Sequence, residues 1–131
     1  MKKIIYFSLF LSIIFITFHD VNAKRVPNLL GKWEGENIKS TLKQGFLRST
    51  NVVEITDQNN RLFKGHVLHK GGKEPFVGVI KSDHKNFFWA DSSNDDGKVI
   101  GTILKKNKIE TCYLDSGKDA IAGCSILIRD K

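Results

Sequence analysis

Beyond Pro27, apolar and polar residues follow one another in short alternating runs, each ending in Gly, Asn, Asp or Ser. Alternation with a period of two places one set of side chains on each face of a strand, so the pattern predicts antiparallel strands joined by turns. The first run, residues 30–36, puts Gly31, Trp33 and Gly35 on one face and Lys32, Glu34 and Glu36 on the other, with Trp33 expected inward. A polar connection is expected over residues 37–49, then a strand over residues 50–56 with Val53 and Ile55 on one face. Residues 61–70 alternate Phe63, Gly65 and Val67 against Lys64, His66 and Lys70. Residues 75–81, 86–91, 98–105, 109–115 and 120–129 read as further strands, and no helix longer than a turn or two is expected.

The fold class predicted is therefore all-β, an eight-stranded antiparallel up-and-down meander. Glycines recur inside the expected strands at Gly35, Gly65, Gly78, Gly101 and Gly123. A lone glycine weakens a strand, whereas repeated ones relieve the bending that closes a coiled barrel, and closure removes exposed edges. An open sandwich has the same periodicity and stays as the alternative.

The first 23 residues do not share this pattern. Lys2 and Lys3 precede a nearly unbroken apolar stretch over residues 4–18, and Val21-Asn22-Ala23 offers a cleavage site, the composition of an export signal. The apolar stretch is shorter than the roughly 20 residues that a membrane-spanning helix needs. The domain division is thus a signal peptide over residues 1–23 and one barrel domain over residues 24–131, with a periplasmic or secreted destination and no membrane span after cleavage. Export also decides how the cysteines read. Cys112 and Cys124 are the only two, and in an oxidising compartment a disulfide is the expected use. With a turn centred at Lys118, Cys112 faces Cys124 across the last hairpin, a separation that a disulfide tolerates.

The full chain carries a net charge of +7. Without residues 1–23 it keeps 19 of its 21 Lys and Arg and 13 of its 14 Asp and Glu, a net of +6. These charges are interspersed rather than blocked, which describes a solvated mixed surface better than a nucleic-acid footprint.

Eight meandering strands opening on Gly31-Lys32-Trp33 and closing with Arg129 on the last strand resemble the calycin group of small exported barrels, which includes lipocalins and avidins. The resemblance implies that Trp33 packs across one barrel end and that Arg129 lies over its indole, both in structural roles. Avidin-like proportions are the nearer match, because the chain is short and lacks a C-terminal helix; no biotin site is carried over. The stretch Glu74-Pro75-Phe76-Val77-Gly78-Val79-Ile80, with Cys112-Tyr113-Leu114, is also similar to small bacterial secreted proteins of unassigned function.

Several middle strands are apolar on both faces: Phe76, Val77, Val79 and Ile80; Phe87, Phe88 and Trp89; Val99, Ile100, Ile103 and Leu104. One face lines the interior, and the other needs a loop, a partner or a second copy to cover it. Residues 37–49, with Lys39, Lys43 and Arg48 around Leu42 and Phe46, could form a lid or a basic recognition loop, against the simpler reading of a surface connection.

Asp91, Ser93, Asp95 and Asp96 imitate part of a calcium loop, but Asp96 and Thr102 stand where glycine and an acidic ligand belong, so a solvated turn is the better reading. His66 and His69 fall on opposite strand faces and are not expected to share a metal. No nucleophile, phosphate-loop or dinucleotide motif is present, so no catalytic residue and no cofactor is assigned. The expected function is an exported binding protein holding an apolar or amphipathic small molecule in its barrel. Candidate ligand-binding residues are Val53, Ile55, Phe63, Val67, Phe88, Trp89 and Tyr113, with Ala90 also facing inward. The alternative is a protein-interaction module, an inhibitor or secreted factor, meeting an extracytoplasmic protein through its outer apolar strands or basic first loop, with self-association open. An enzyme on the same scaffold is the less favoured third reading.

Overall fold

The computed structural model describes residues 25–92 and 97–131. The expected export signal, and Ser93, Asp95 and Asp96 of the acidic turn, lie outside the described residues. The strands are β1 (Gly31–Thr41), β2 (Gly45–Asn59), β3 (Leu62–His69), β4 (Gly72–Ile80), β5 (Asn86–Asp91), β6 (Lys98–Lys105), β7 (Lys108–Asp115) and β8 (Ile121–Arg129). Each pairs antiparallel with its sequence neighbours, and β1 pairs with β8, closing an all-β up-and-down barrel. The last hairpin has the expected register: Cys112 lies opposite Cys124, and the two form a disulfide.

Residues 37–49 are not a loop. They continue β1 and begin β2, with Asn37 opposite Ser49 and Thr41 opposite Gly45. The turn is tight: Thr41 Oγ1 accepts a hydrogen bond from the Gln44 amide at 2.8 Å, and Gly45 takes the positive φ of 74° that turns the chain. This hairpin escapes an apolar-alternation test because its inward side chains, Asn37, Lys39 and Asn51, lie at the wet end of the barrel. Two of the basic side chains of this hairpin make exposed ion pairs, Arg48 with Glu36 and Lys43 with Asp119.

Inward side chains sort into two zones along the barrel axis. Trp33, Ile55, Ile80, Phe87, Ile109 and Leu127 are essentially fully buried and fill one end. Phe63, Phe76 and Trp89 lie among them, with Phe63 edge-on to Phe76 and Phe87, and Phe76 stacked on Trp89 at 4.5 Å between centroids. Glycines make room for these rings. A Cβ on Gly78 would stand 2.3 Å from the Phe63 ring, and one on Gly101 would stand 2.0 Å from Phe87.

That fit sets the facing of β5. Trp89 sits opposite Gly78 and Phe87 opposite Gly101, so both rings point inward, whereas Phe88 pairs with Val79 and faces out with Ala90. The expected inward placement of Phe88 and Ala90 is therefore reversed by one residue. On a strand that is apolar on both faces, hydrophobicity alone cannot choose between the two registers.

The filled end is sealed by residues 25–30. Leu29 is buried, its amide donates to Gln58 Oε1 at 2.8 Å, and its carbonyl accepts from Trp33 Nε1 at 2.8 Å. Arg129 lies 4.4 Å over the Trp33 ring and donates to the carbonyls of Leu30, Asn28 and Lys106. A guanidinium stacked in this way ties first strand, last strand and plug together. Partial burial draws its pKa below the ordinary arginine value, but not far enough for arginine to lose its proton.

Candidate ligand-binding site at the barrel mouth

The opposite end of the barrel is polar on the inside. Continuing each inward-facing row past the aromatic layer leads to Asn37 and Lys39 on β1, Asn51 on β2 and Val67 on β3. Glu74 follows on β4, Asp91 on β5, Thr111 and Tyr113 on β7, and Ser125 on β8. With Trp89 and Val99 below them, these residues line a cavity of about 210 Å³. Ligand pockets for drug-sized molecules begin at roughly 300 Å³, and an apolar cavity of about 150 Å³ admits benzene, so this space suits one ring or a short polar chain.

One wall is a side-chain hydrogen-bond chain. Asn51 Nδ2 donates to Ser125 Oγ at 3.1 Å, Ser125 Oγ donates to Asn37 Oδ1 at 3.1 Å, and Asn37 Nδ2 donates to Ser49 Oγ at 3.2 Å. Asn51 and Ser125 belong to β2 and β8, which are separated by β1. They meet over Gly35, which lies opposite Asn51 and carries no side chain to block them. Ser125 and Thr111 are almost fully buried polar residues. Buried polar groups are stable where they are paired, and the chain also holds both amides in fixed orientation toward the cavity.

The floor is different. Trp89 is 4 % exposed, and its Nε1 has no hydrogen-bond acceptor among the described residues. A buried N–H without an acceptor costs about 1–3 kcal/mol, and His66 Nδ1 and Arg129 Nε are likewise without a partner among the described residues. Trp33 shows the contrast, since its indole N–H is satisfied by Leu29.

Of the residues that the sequence singled out, Val67, Trp89 and Tyr113 line this cavity together. Val53, Ile55 and Phe63 are not part of its lining and lie in the buried core. Phe88 lies on the outer face. Sequence reasoning missed Asn37, Asn51, Glu74, Thr111 and Ser125, and it assigned Lys39 to a surface loop or lid where the structure has it lining the cavity. A signal was there to find: each holds inward parity near a mouth-side turn, at a position where a filled barrel would carry an apolar residue.

The outer surface carries a second feature. Leu62, Val79, Phe88 and Ile100 stand directly opposite one another on successive strands β3 to β6, all substantially exposed, and Val77 and Leu114 extend the patch. Phe46, on the first hairpin, is 92 % exposed. Beyond Val52, β2 has no pairing with β3, so its Gly45–Asn51 stretch presents an open strand edge among the described residues. Among the described residues, no helix is long and apolar enough to cross a membrane. The disulfide fits an oxidising, extracytoplasmic environment.

No protein-family model matches the sequence, and no curated protein does. The fold has counterparts among solved structures. A redesigned β-barrel is similar at a TM-score of 0.50 and 13 % identity, over 79 % of this chain and 92 % of that one. A de novo designed fluorescence-activating β-barrel aligns at a TM-score of 0.45 and 14 % identity, over 83 % of this chain and 97 % of that one.

Proposed function

We propose that this protein is an exported binding protein that holds a small amphipathic molecule in the mouth of its barrel. The observation that carries the reading is a cavity walled by paired polar side chains at one end of a barrel whose other end is filled. The barrel is packed solid at one end, yet at the other it keeps an open space of about 210 Å³ beside a fixed amide–hydroxyl chain. A barrel selected for stability alone would fill that space with apolar side chains, as it does around Phe87 and Leu127. The guest's apolar part would rest on Val67, Val99 and Trp89, and its polar part would meet Asn37, Asn51 and Ser125. A calycin-like relationship agrees with this reading through Trp33 and Arg129, and an export signal at residues 1–23 agrees with the disulfide.

A second reading rests on the outer row Leu62, Val79, Phe88 and Ile100, whose exposure suits a partner protein or another copy. One experiment separates the two. Native mass spectrometry is performed on protein purified without denaturation from an oxidising export compartment, beside a Val67→Trp variant whose larger ring fills the cavity. The pocket reading expects a small non-covalent mass on the wild type that leaves on unfolding and is missing from the variant. Guest-free wild type in a defined oligomer would overturn it in favour of the outer face.

A further inference from the structure

Three charged side chains point into the mouth, and their arrangement around the ring is uneven. Lys39 is on β1, while Glu74 and Asp91 are on the adjacent strands β4 and β5. In a closed ring of eight strands, β5 is four places from β1 in either direction and β4 is three, so the cation and the two carboxylates face each other across the opening. All three are partly buried. Lys39 and Glu74 form no ion pair among the described residues, although salt bridges form freely elsewhere on the barrel, as at Lys32, Lys64 and Lys73. For Lys39 and Glu74, holding charge partly out of water without a counter-charge is unfavourable, and a guest that brings the charges opposite to these two removes that cost.

Resting on the pocket reading above, we propose that the guest is a zwitterionic amino compound of amino-acid size. Its carboxylate is directed to Lys39 and the amide of Asn37, its ammonium to Glu74, and its side chain to the floor formed by Val67, Val99 and Trp89. The polarity of the cavity runs in that order from rim to floor. The guest's side chain then packs against Trp89, which lines the floor of the cavity. A ligand with one charge satisfies only half of the mouth, and a neutral one satisfies neither half.

The Trp89 indole also supplies the readout. The protein has two tryptophans, and the Trp33 N–H is already bonded, so a ¹⁵N-labelled sample gives two indole signals that Trp89→Phe assigns. The probes are L-phenylalanine, its amide (ammonium only), N-acetyl-L-phenylalanine (carboxylate only) and 2-phenylethanol (neutral), all carrying the same ring. The expected result is that L-phenylalanine moves the Trp89 signal at a concentration at least tenfold lower than any other probe does. Lys39→Met should bring it level with the amide, and Glu74→Gln should weaken it toward the acetylated acid. Both substitutions are at the wet rim, and their unfolding midpoints are checked in parallel. Equal or tighter binding of 2-phenylethanol would overturn the charge assignment while leaving a pocket that binds. A Trp89 signal unmoved by every probe would overturn the amino-compound assignment, and the mass experiment above then decides separately whether the pocket holds a different guest.

Discussion

Gly35 links the closure of the barrel to the construction of the mouth, and replacing it with alanine tests both. It lies on β1 opposite Asn51 of β2 and Leu127 of β8. A Cβ built there would stand 1.8 Å from the carbonyl oxygen of Ile126 and 3.2 Å from the Leu127 Cα. The obstacle is backbone, so no side-chain rotation relieves it; β1 and β8 must separate by more than 1 Å, roughly the shortfall from an ordinary carbon–oxygen contact of about 3.5 Å. Overpacking of a well-filled interior costs about 1–3 kcal/mol and sometimes more. Pulling β8 away also stretches the Asn51–Ser125 hydrogen bond, worth about 1 kcal/mol. We expect Gly35→Ala to lose about 3 kcal/mol in urea unfolding followed by far-UV circular dichroism with the disulfide intact. For a domain of this size that is a fall in Tm of roughly 12 °C or more. Gly45→Ala is the control: nothing lies within 4 Å of its Cβ position, and only its positive φ resists the change, at about 1–2 kcal/mol. A Gly35→Ala variant that loses less than 1 kcal/mol, or no more than the control, would refute the argument that β1 and β8 are in backbone contact at this corner.

Two further predictions concern the ends of the barrel. The Cys112–Cys124 bond closes a short hairpin with a sequence separation of 12, for which loop entropy gives about 3 kcal/mol. The double Cys→Ala variant should lose that amount in urea while keeping the same m-value, and a loss below 1 kcal/mol would mean that the hairpin is already restricted in the unfolded chain. In the turn before β5, the Asp83 carboxylate accepts from the backbone amides of Asn86 and Lys85, each at 2.9 Å, and from the Asn86 side-chain amide at 2.8 Å. These bonds, those from Asn86 foremost, hold its pKa far below the ordinary 3.8. A depressed carboxylate contributes stability that is complete above its unfolded pKa and is lost as pH falls toward the folded one. The gap in urea midpoint between wild type and Asp83→Asn should therefore be constant from pH 7 to about pH 5 and shrink below about pH 4. A gap that stays constant into strong acid would exclude the carboxylate as its source.

The parts of this fold that could be read from the sequence are those in which one local signal decides the outcome. Trp33 on an alternating first strand, the turn that sets Cys112 against Cys124, and the spacing of Phe63, Gly65 and Val67 each carry their own evidence. The facing of Phe88 did not, because β5 is apolar on both sides. The deciding interactions are the fit of Phe87 over Gly101 on the neighbouring strand and the stacking of Trp89 on Phe76. Residues 37–49 were misread for a related reason. Their inward positions are polar because they line the mouth, so the alternation that identifies a half-buried strand is absent where the site begins. The candidate site was the least legible part. Asn37, Asn51 and Ser125 are far apart in sequence, carry no motif, and acquire a relationship only when β1 and β8 close the ring.

This division between the ends also explains how the barrel can carry an unfilled, partly unsatisfied mouth at all. The core around Trp33, Ile55, Phe87 and Leu127 is apolar and fully buried, and the plug at Leu29 and the Arg129 clamp hold residues 25–30 and the end of β8 against it, so the closed end secures the register of the strands. Register, once fixed there, is transmitted along each strand in steps of two residues to the mouth, where Lys39, Glu74 and Asp91 are positioned without having to stabilise one another. Rim substitutions should accordingly change what the mouth accepts while leaving the unfolding midpoint nearly unchanged, and core substitutions should do the reverse. The Trp89 indole sits on the boundary between these zones. It stacks on Phe76 in the core and also lines the cavity, so occupancy of the mouth would be felt through it in the packing beneath.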